Sequence, residues 1–197
     1  GQGSGWFWDD CVYNVKSRYT STGWRSYDMW NGYYTWISNV NYILAEEETM
    51  SGSETEKNYV LGQAYAVRAY SYFMLAQMFS RTYKGHESEP CVPLYTEPTD
   101  IATEGKGRAT IEEVYQQITS DLDKAITMLG NSGKRKHISH INEAVASGIK
   151  ARVALVMEDW QTALEAANAA ISKSGCSVGT GTAVTGGMND ATANNVM

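Results

Sequence analysis

The most informative pattern of hydrophobic positions lies between Leu61 and Phe79, where apolar residues recur every three or four positions, as on a buried helical face. This segment carries two neighbouring apolar stripes. One stripe consists mostly of small residues: Gly62, Ala66, Ala69, Phe73 and Ala76. The other stripe consists mostly of bulkier residues: Leu61, Ala64, Arg68, Tyr72, Leu75 and Phe79. An apolar arc this wide predicts a helix that packs against other helices on two sides.

Similar patterns, together with start and stop signals, predict five helices. They are expected at about 27–48, 54–80, 111–130, 141–157 and 159–173. Two Ser/Thr-x-x-Glu capping boxes mark the starts of the second and third helices, Ser53 with Glu56 and Thr110 with Glu113. Residues 84–108 contain all three prolines, which favours an extended crossing, and residues 1–26 show no sustained period.

These elements predict an all-α fold, a TPR-like helix-pair array (an α-α superhelix) of about five helices. The later helices have the repeat length of about 34 residues expected of such pairs. An aromatic, loop-rich leader precedes the array, and five of the six tryptophans lie before residue 37. We assign residues 1–175 to this helical domain. Residues 176–197 are rich in Gly, Thr and Asn, and we expect them to lead into a carboxy-terminal part beyond this sequence.

The overall charge narrows the possible partners. The net charge of −6 and a pI near 5.1 argue against nucleic acid, and the only cationic cluster is the short run 134–136. No apolar run reaches the roughly 18 residues that a membrane-spanning helix needs. Cys11, Cys91 and Cys176 are too widely spaced for a CxxC metal pair or a disulfide framework, so we expect isolated cysteines.

Five motifs occur in order between residues 30 and 173. They are Trp30…Tyr34-x-x-Ile37-x3-Asn41, Gln63-Ala64…Arg68-Ala69-Tyr70-x-Tyr72-Phe73-x-Leu75, Val92-Pro93-Leu94, Arg108-Ala109-Thr110-x-x-Glu113-Val114-Tyr115-x-x-Ile118-x-x-Asp121-Leu122-x-x-Ala125, and Ala144…Lys150-Ala151-Arg152-Val153-Ala154-Leu155 with Asp159-Trp160-x-x-Ala163. In kind and order they resemble the amino-terminal part of SusD/RagB-type proteins, the surface nutrient-binding lipoproteins of Bacteroidetes. Members of that family are much longer. Cys11 lacks the small-residue leader of their lipidated cysteine.

The resemblance implies a nutrient-binding protein on the outer-membrane surface, held there by a lipid anchor outside this sequence. It implies capture of a glycan or a similar nutrient and its delivery to a TonB-dependent, SusC-like transporter. It implies neither a catalytic activity nor a cofactor. The alternative that the residues leave open is a helical-repeat adaptor, which would bind a peptide or protein on its concave face and ignore sugars.

Exposed aromatic rings stack on the apolar face of a sugar, and neighbouring polar side chains bond its hydroxyls. The leader offers both components, and in the family glycan contacts come partly from loops ahead of the first helix pair. The candidate ligand-binding residues are Trp6, Trp8, Asp10, Arg18, Trp24 and Arg25. Trp30 fits an apolar helical face instead, and we expect it in the core.

Other charged or metal-binding residue types favour structural roles. Arg68 and Arg152 lie within apolar helix faces, so we expect each to be buried in an ion pair. His137 and His140 have helical ligand spacing, but the adjacent cations at 134–136 disfavour a metal. Glycoside hydrolysis needs two carboxylates facing across a cleft, and no such pair is evident. We therefore predict neither an enzyme nor a metal site.

Overall fold

The computed structural model describes residues 23–176 and residue 181, with only the backbone for residues 24–26. Within this part of the chain there are five α-helices and one two-stranded antiparallel sheet, β1 with β2. In chain order the elements are α1 (Trp24–Ala45), α2 (Glu54–Phe79), β1 (Pro90–Pro93), β2 (Arg108–Thr110), α3 (Ile111–Gly130), α4 (Glu143–Met157) and α5 (Trp160–Ser174). The predicted all-α class is confirmed, and the extended crossing contains the small sheet.

Both predicted capping boxes are present. The Glu56 N–H donates to Ser53 Oγ at 3.3 Å, and the Ser53 N–H donates back to Glu56 Oε2 at 3.4 Å. Thr110 and Glu113 form the equivalent pair at 3.2 and 2.7 Å. These bonds satisfy N–H groups that a helix start leaves unpaired, so they fix where α2 and α3 begin.

The start of α1 corrects the sequence prediction. The helix begins at Trp24, about three residues before the predicted start, and the Tyr27 N–H donates to the Gly23 carbonyl at 3.0 Å. Trp24 and Arg25, which we expected in a loop, therefore lie in its first turn. Gly23 offers no side chain to cap the helix, so this boundary has no marker in the sequence.

The small-residue stripe of α2 allows close packing against α3. A Cβ atom built on Gly62 would lie 2.7 Å from Leu129 Cγ and 3.2 Å from the Leu129 backbone nitrogen. Ala66, Ala69 and Ala76 of the same stripe are completely buried. The prediction that this helix is flanked on two sides is confirmed, since α2 packs against both α1 and α3.

A buried polar cluster joins three helices to the connection between α2 and α3. Arg68 Nε and Nη2 donate to the two carboxylate oxygens of Asp121, each at 2.8 Å. Its Nη1 donates to Asn41 Oδ1 at 2.9 Å and to the Thr96 carbonyl at 3.1 Å. Burial alone would lower the pKa of Arg68, but the hydrogen bonds and charge of Asp121 outweigh it and raise the pKa. The ion pair expected for Arg68 is confirmed.

Arg152 differs from its prediction. Its side chain is exposed, and the guanidinium carbon lies 6.0 Å from the centre of the Phe73 ring. The long apolar stem of arginine can cover a buried ring while the charge stays in water, so an apolar helical pattern does not require burial of the charge. Trp30 is half-buried and packs edge-on against Phe79 at 5.0 Å, on the rim of the core.

Replacing Asp121 with Ala should destabilise the fold by about 3–5 kcal/mol, because it leaves the buried Arg68 charge without its partner. Equilibrium urea unfolding measures this change. The matched control is Asp123→Ala on the same helix, which removes the partly exposed pair with Lys150 and should cost at most about 1 kcal/mol. Equal losses from the two variants would contradict the central role of the buried pair.

Replacing Gly62 with Ala should destabilise the fold by about 1–3 kcal/mol, because the new methyl group collides with Leu129 across the α2–α3 contact. Gly32→Ala is the control, since a Cβ there meets nothing within 4 Å. As another helical glycine, it should gain up to about 1 kcal/mol from helix propensity. Thermal and urea unfolding of both variants would reveal the opposite signs, and a neutral Gly62→Ala would refute the close approach.

Candidate functional site

A cleft of about 260 Å³ lies between α1 and the crossover, by which we mean residues 80–110 connecting α2 to α3. We call it the crossover cleft. Aromatic rings, hydroxyl groups and one carboxylate surround it, with Ile37 as the large aliphatic side chain. Its lining residues are Tyr34, Ile37, Ser38, Asn41, Tyr95, Thr99, Asp100 and Thr103.

One flank of α1 forms the helical wall of the cleft. Tyr34, Ser38 and Tyr42 follow one another at four-residue spacing, so they share that flank. The Tyr34 hydroxyl donates to the Pro93 carbonyl at 2.6 Å, and the Tyr42 hydroxyl donates to the Thr99 carbonyl at 2.7 Å. These bonds hold the crossover against α1 at both sides of Ser38.

Asn41 anchors the deep end of the cleft. Its Nδ2 donates to the carbonyls of Tyr95 and Glu97 at 3.0 and 3.1 Å, while its Oδ1 accepts from Arg68. The side-chain amide therefore has partners on both its oxygen and its nitrogen, and its role is to position the crossover backbone.

Tyr95 forms the opposite wall and is held from below by Tyr72. The Tyr72 hydroxyl accepts from the Tyr95 N–H at 2.7 Å and donates to the Tyr95 carbonyl at 2.8 Å. The Tyr95 hydroxyl accepts from the Lys106 N–H at 2.9 Å, and its ring lies edge-on to Tyr34 with centroids 6.2 Å apart. Burial raises the pKa of Tyr34 and of Tyr72, so both hydroxyls remain protonated donors even at alkaline pH.

Asp100 stands at the outer lip of the cleft in a tight turn. Its Oδ1 accepts from the Ala102 N–H at 2.9 Å and from Thr103 Oγ1 at 3.0 Å. Its Oδ2 and the hydroxyl of Ser38 have no hydrogen-bond partner among the described residues. The cleft thus offers a carboxylate oxygen, the Ser38 hydroxyl and two aromatic rings, a set that suits a polyhydroxylated ligand.

The structure leaves the predicted ligand-binding residues untested. Trp6, Trp8, Asp10 and Arg18 lie outside the described residues, and Trp24 and Arg25 are described by backbone alone.

The crossover cleft could not be predicted from the sequence. The four-residue spacing of Tyr34, Ser38 and Tyr42 was visible, but the same spacing also describes a buried helical stripe. Nothing in the sequence showed that the crossover folds back onto this flank of α1.

The exposure of the early tryptophans bears on the glycan-binding interpretation, which would be weaker if all five of them packed in the core. Trp36 is 50% exposed and contacts the Tyr33 ring edge-on with centroids 5.2 Å apart, while Trp30 packs on the core. The five early tryptophans therefore do not all pack in the core.

His137 and His140 lie in a turn and not on a helix. His140 Nδ1 is 2.6 Å from the Tyr59 hydroxyl, and His137 Nδ1 is 2.8 Å from Ser139 Oγ. Over residues 23–176 no three His, Cys, Asp or Glu side chains are grouped so as to hold a metal ion. None of the helices in this range has the length and apolarity to span a membrane.

Together, the fold and the cleft define an all-α, helix-pair scaffold with an open polar and aromatic site on one side. A SusD-like family model, described as "Starch-binding associating with outer membrane", matches residues 6–155. The chain belongs to this SusD-like family. A search of curated proteins gave no match.

Solved structures agree with the family assignment. The chain is similar to a SusD-like carbohydrate binding protein from Bacteroides vulgatus ATCC 8482, with 25% identity, a TM-score of 0.77, and coverage of 89% of this chain and 40% of that one. It is also similar to a SusD superfamily protein from Bacteroides thetaiotaomicron VPI-5482, with 28% identity, a TM-score of 0.68, and coverage of 77% of this chain and 33% of that one. A third similar structure is a laminarin binding SusD-like protein, with 26% identity, a TM-score of 0.56, and coverage of 70% of this chain and 28% of that one. The chain thus spans at most two-fifths of these proteins.

Tyr72 should make stability depend on alkaline pH. The pKa of Tyr72 is raised in the folded state. Its contribution to stability is therefore complete below about pH 10, where the unfolded tyrosine begins to ionise. As the pH rises further, that contribution is lost. Tyr72→Phe should cost about 1–3 kcal/mol at pH 8 through its lost hydrogen bonds. Between pH 8 and pH 11 the free energy of unfolding of this variant should fall by about 1.4 kcal/mol less than that of wild type.

Urea unfolding at both pH values measures this difference. The control is Ser71→Ala, which removes the neighbouring buried hydroxyl but no titrating group. The free energy of unfolding of Ser71→Ala should depend on pH as strongly as that of wild type. An identical pH dependence in Tyr72→Phe and wild type would contradict the protected tyrosine.

Proposed function

We propose that this chain is the helical part of a nutrient-binding protein at the outer-membrane surface, and that its ligand is a glycan. Membership of the SusD-like family carries the proposal, since that family is described as starch-binding and associated with the outer membrane. A similar solved structure is described as laminarin binding, and another as carbohydrate binding. Laminarin and starch are both glucans, so a glucan is the first ligand to test.

The crossover cleft is the proposed contact for one sugar unit. Its volume of about 260 Å³ falls just below the range of pockets for drug-sized ligands, which suits one ring of a longer chain held partly outside. Tyr34 and Tyr95 supply apolar surface beside the ring. Asp100 Oδ2 and Ser38 Oγ are positioned to accept from or donate to sugar hydroxyls at the lip.

The aromatic leader is the second proposed contact region. Trp6, Trp8 and Trp24 would stack on further sugar rings, with Asp10, Arg18 and Arg25 bonding their hydroxyls. A glycan that meets both regions gains affinity by linking several weak contacts, as is usual for extended ligands.

The proposed role is binding without catalysis. Asp100 is the one carboxylate among the described lining residues of the crossover cleft, whereas glycoside hydrolysis uses two facing carboxylates. We further propose that a lipid anchor outside this sequence holds the protein at the membrane. The captured glycan then passes to a TonB-dependent, SusC-like transporter.

Isothermal titration calorimetry of the 197-residue chain against a panel of α- and β-linked glucans and other polysaccharides tests the function. Heat of binding to at least one glycan is expected. Indifference to the whole panel, with retention of a partner protein in its place, would favour the helical-repeat adaptor.

Asp100→Ala should weaken glycan binding about ten-fold, because it removes a charge-assisted hydrogen bond at the lip. Asp123→Ala, which removes a carboxylate far from the cleft on α3, should leave the affinity unchanged. If Asp100→Ala binds as tightly as wild type while Trp6→Ala and Trp8→Ala do not, the ligand contacts the leader alone.

A further inference from the structure

An exposed aromatic cluster lies on the flank of α1 opposite the crossover cleft. Trp36 is 50% exposed, and its ring lies edge-on to that of Tyr33 with centroids 5.2 Å apart. The Tyr33 ring in turn lies 6.5 Å from the ring of Tyr70 on α2. Three rings from two helices therefore adjoin one another at the surface. We call this cluster of Tyr33, Trp36 and Tyr70 the aromatic platform.

The aromatic platform and the crossover cleft are separate surfaces. Each residue of an α-helix is turned by about 100° from the one before, so Trp36 and Ser38 lie about 160° apart around the axis of α1. Ile37 between them is buried in the core, and the two flanks lie on either side of it. A helix with its side chains is about 10–12 Å across, so a single sugar ring cannot contact both flanks.

A glycine leaves the Trp36 ring accessible. Helical side chains lean towards the N-terminus of their helix, so the Trp36 ring lies beside residues 32 and 33, one turn earlier. Tyr33 contacts that ring, but Gly32 has no side chain, and a Cβ atom built there would meet nothing within 4 Å. The indole ring is thus supported by Tyr33 and open beside Gly32.

Two phenol hydroxyls add hydrogen-bonding capacity next to the exposed indole. Tyr33 and Tyr70 are half-buried, and among the described residues neither hydroxyl has a hydrogen-bond partner. Burial and the neighbouring Tyr70 raise the pKa of Tyr33, so its hydroxyl stays protonated and is able to donate as well as accept. The platform therefore combines an apolar ring with polar groups held by packing.

The helical surface around the platform is free of charge. No residue of α1 from position 29 to 45 is charged, and Arg68 is the only charged residue of α2 from position 58 to 79. Arg68 is buried in its pair with Asp121. An anionic ligand would thus find no exposed cation on these stretches, and a charged protein partner would find no complementary charge.

We propose that the aromatic platform is a further sugar-binding surface, which stacks a neutral pyranose ring on Trp36 and bonds its hydroxyls to Tyr33 and Tyr70. An accessible ring flanked by hydroxyl groups is complementary to the apolar face and polar rim of a pyranose. The lack of charge selects uncharged sugars over uronates and sulfated sugars. This ligand class rests on the proposed function, whereas the residues that form the platform differ from those of the crossover cleft and the leader.

Affinity electrophoresis of the 197-residue chain, in gels that contain soluble starch, laminarin or another neutral polysaccharide, tests the platform. Trp36→Ala should weaken binding about five-fold, because it removes a stacking contact. Trp36→Phe keeps an aromatic ring and should bind within about two-fold of wild type. The matched control is Trp160→Ala, which removes a tryptophan of α5 that is 63% exposed. It should bind as wild type does.

Gly32→Leu separates binding from folding. The new side chain has room beside α1, and leucine is a better helix former than glycine, so the thermal midpoint should rise. Because residue 32 lies one turn before Trp36, the leucine should cover part of the exposed ring. Binding should therefore weaken about five-fold, as in Trp36→Ala. A variant that is more stable but binds more weakly excludes unfolding as the cause.

Two results would overturn the proposal. One is wild-type affinity in both Trp36→Ala and Gly32→Leu while Asp100→Ala or Trp6→Ala loses binding. The proposed function would then stand, with the glycan bound elsewhere. The other is a wild-type chain that binds no neutral glycan. Binding of acidic glycans alone would in that case keep the proposed function and reject the platform, and binding of no glycan at all would reject both.

Discussion

The buried pair of Arg68 and Asp121 is the interaction on which the rest of this structure depends. Moving two charges from water into a protein interior costs free energy, and the pair is stable there only where its remaining hydrogen-bonding positions also have partners. Here Asn41 and the Thr96 carbonyl complete the set of partners. Since Arg68 and these partners come from three helices and the crossover, the requirement to satisfy one guanidinium fixes four segments relative to one another.

That requirement also explains why a long connection can form one wall of a cleft. A loop of this length would ordinarily be free to move over the surface. In this chain its backbone carbonyls serve as acceptors for Arg68, Asn41, Tyr34 and Tyr72, all of them side chains of the helical scaffold. The polar groups of the loop are thereby satisfied by rigid elements, so the aromatic and acidic side chains that it carries are held in place.

Much of the scaffold could be predicted because its determinants are local. The capping boxes at Ser53 and Thr110 predicted two helix starts, and the small-residue stripe that contains Gly62 predicted a close contact between helices. Determinants that depend on distant partners could not be seen. An arginine in an apolar stripe reads the same whether it is buried against a carboxylate, as Arg68 is, or lies over a ring at the surface, as Arg152 does. The crossover cleft belongs to this second group, since its two walls lie about 60 residues apart in the chain.

The small sheet and the start of α3 share a residue, and this has a consequence for how such a site can diversify. Thr110 ends β2, pairs with Pro90 and caps α3, while the Ile111 N–H donates to the Glu89 carbonyl at 2.9 Å. The two ends of the crossover are therefore clamped together at one point. For a loop with fixed ends, each doubling of length costs only about 0.6 kcal/mol of closure entropy. Insertions, deletions and substitutions between residues 97 and 107 can thus reshape the lip of the cleft with little penalty to folding, so ligand preference can evolve while the scaffold stays constant.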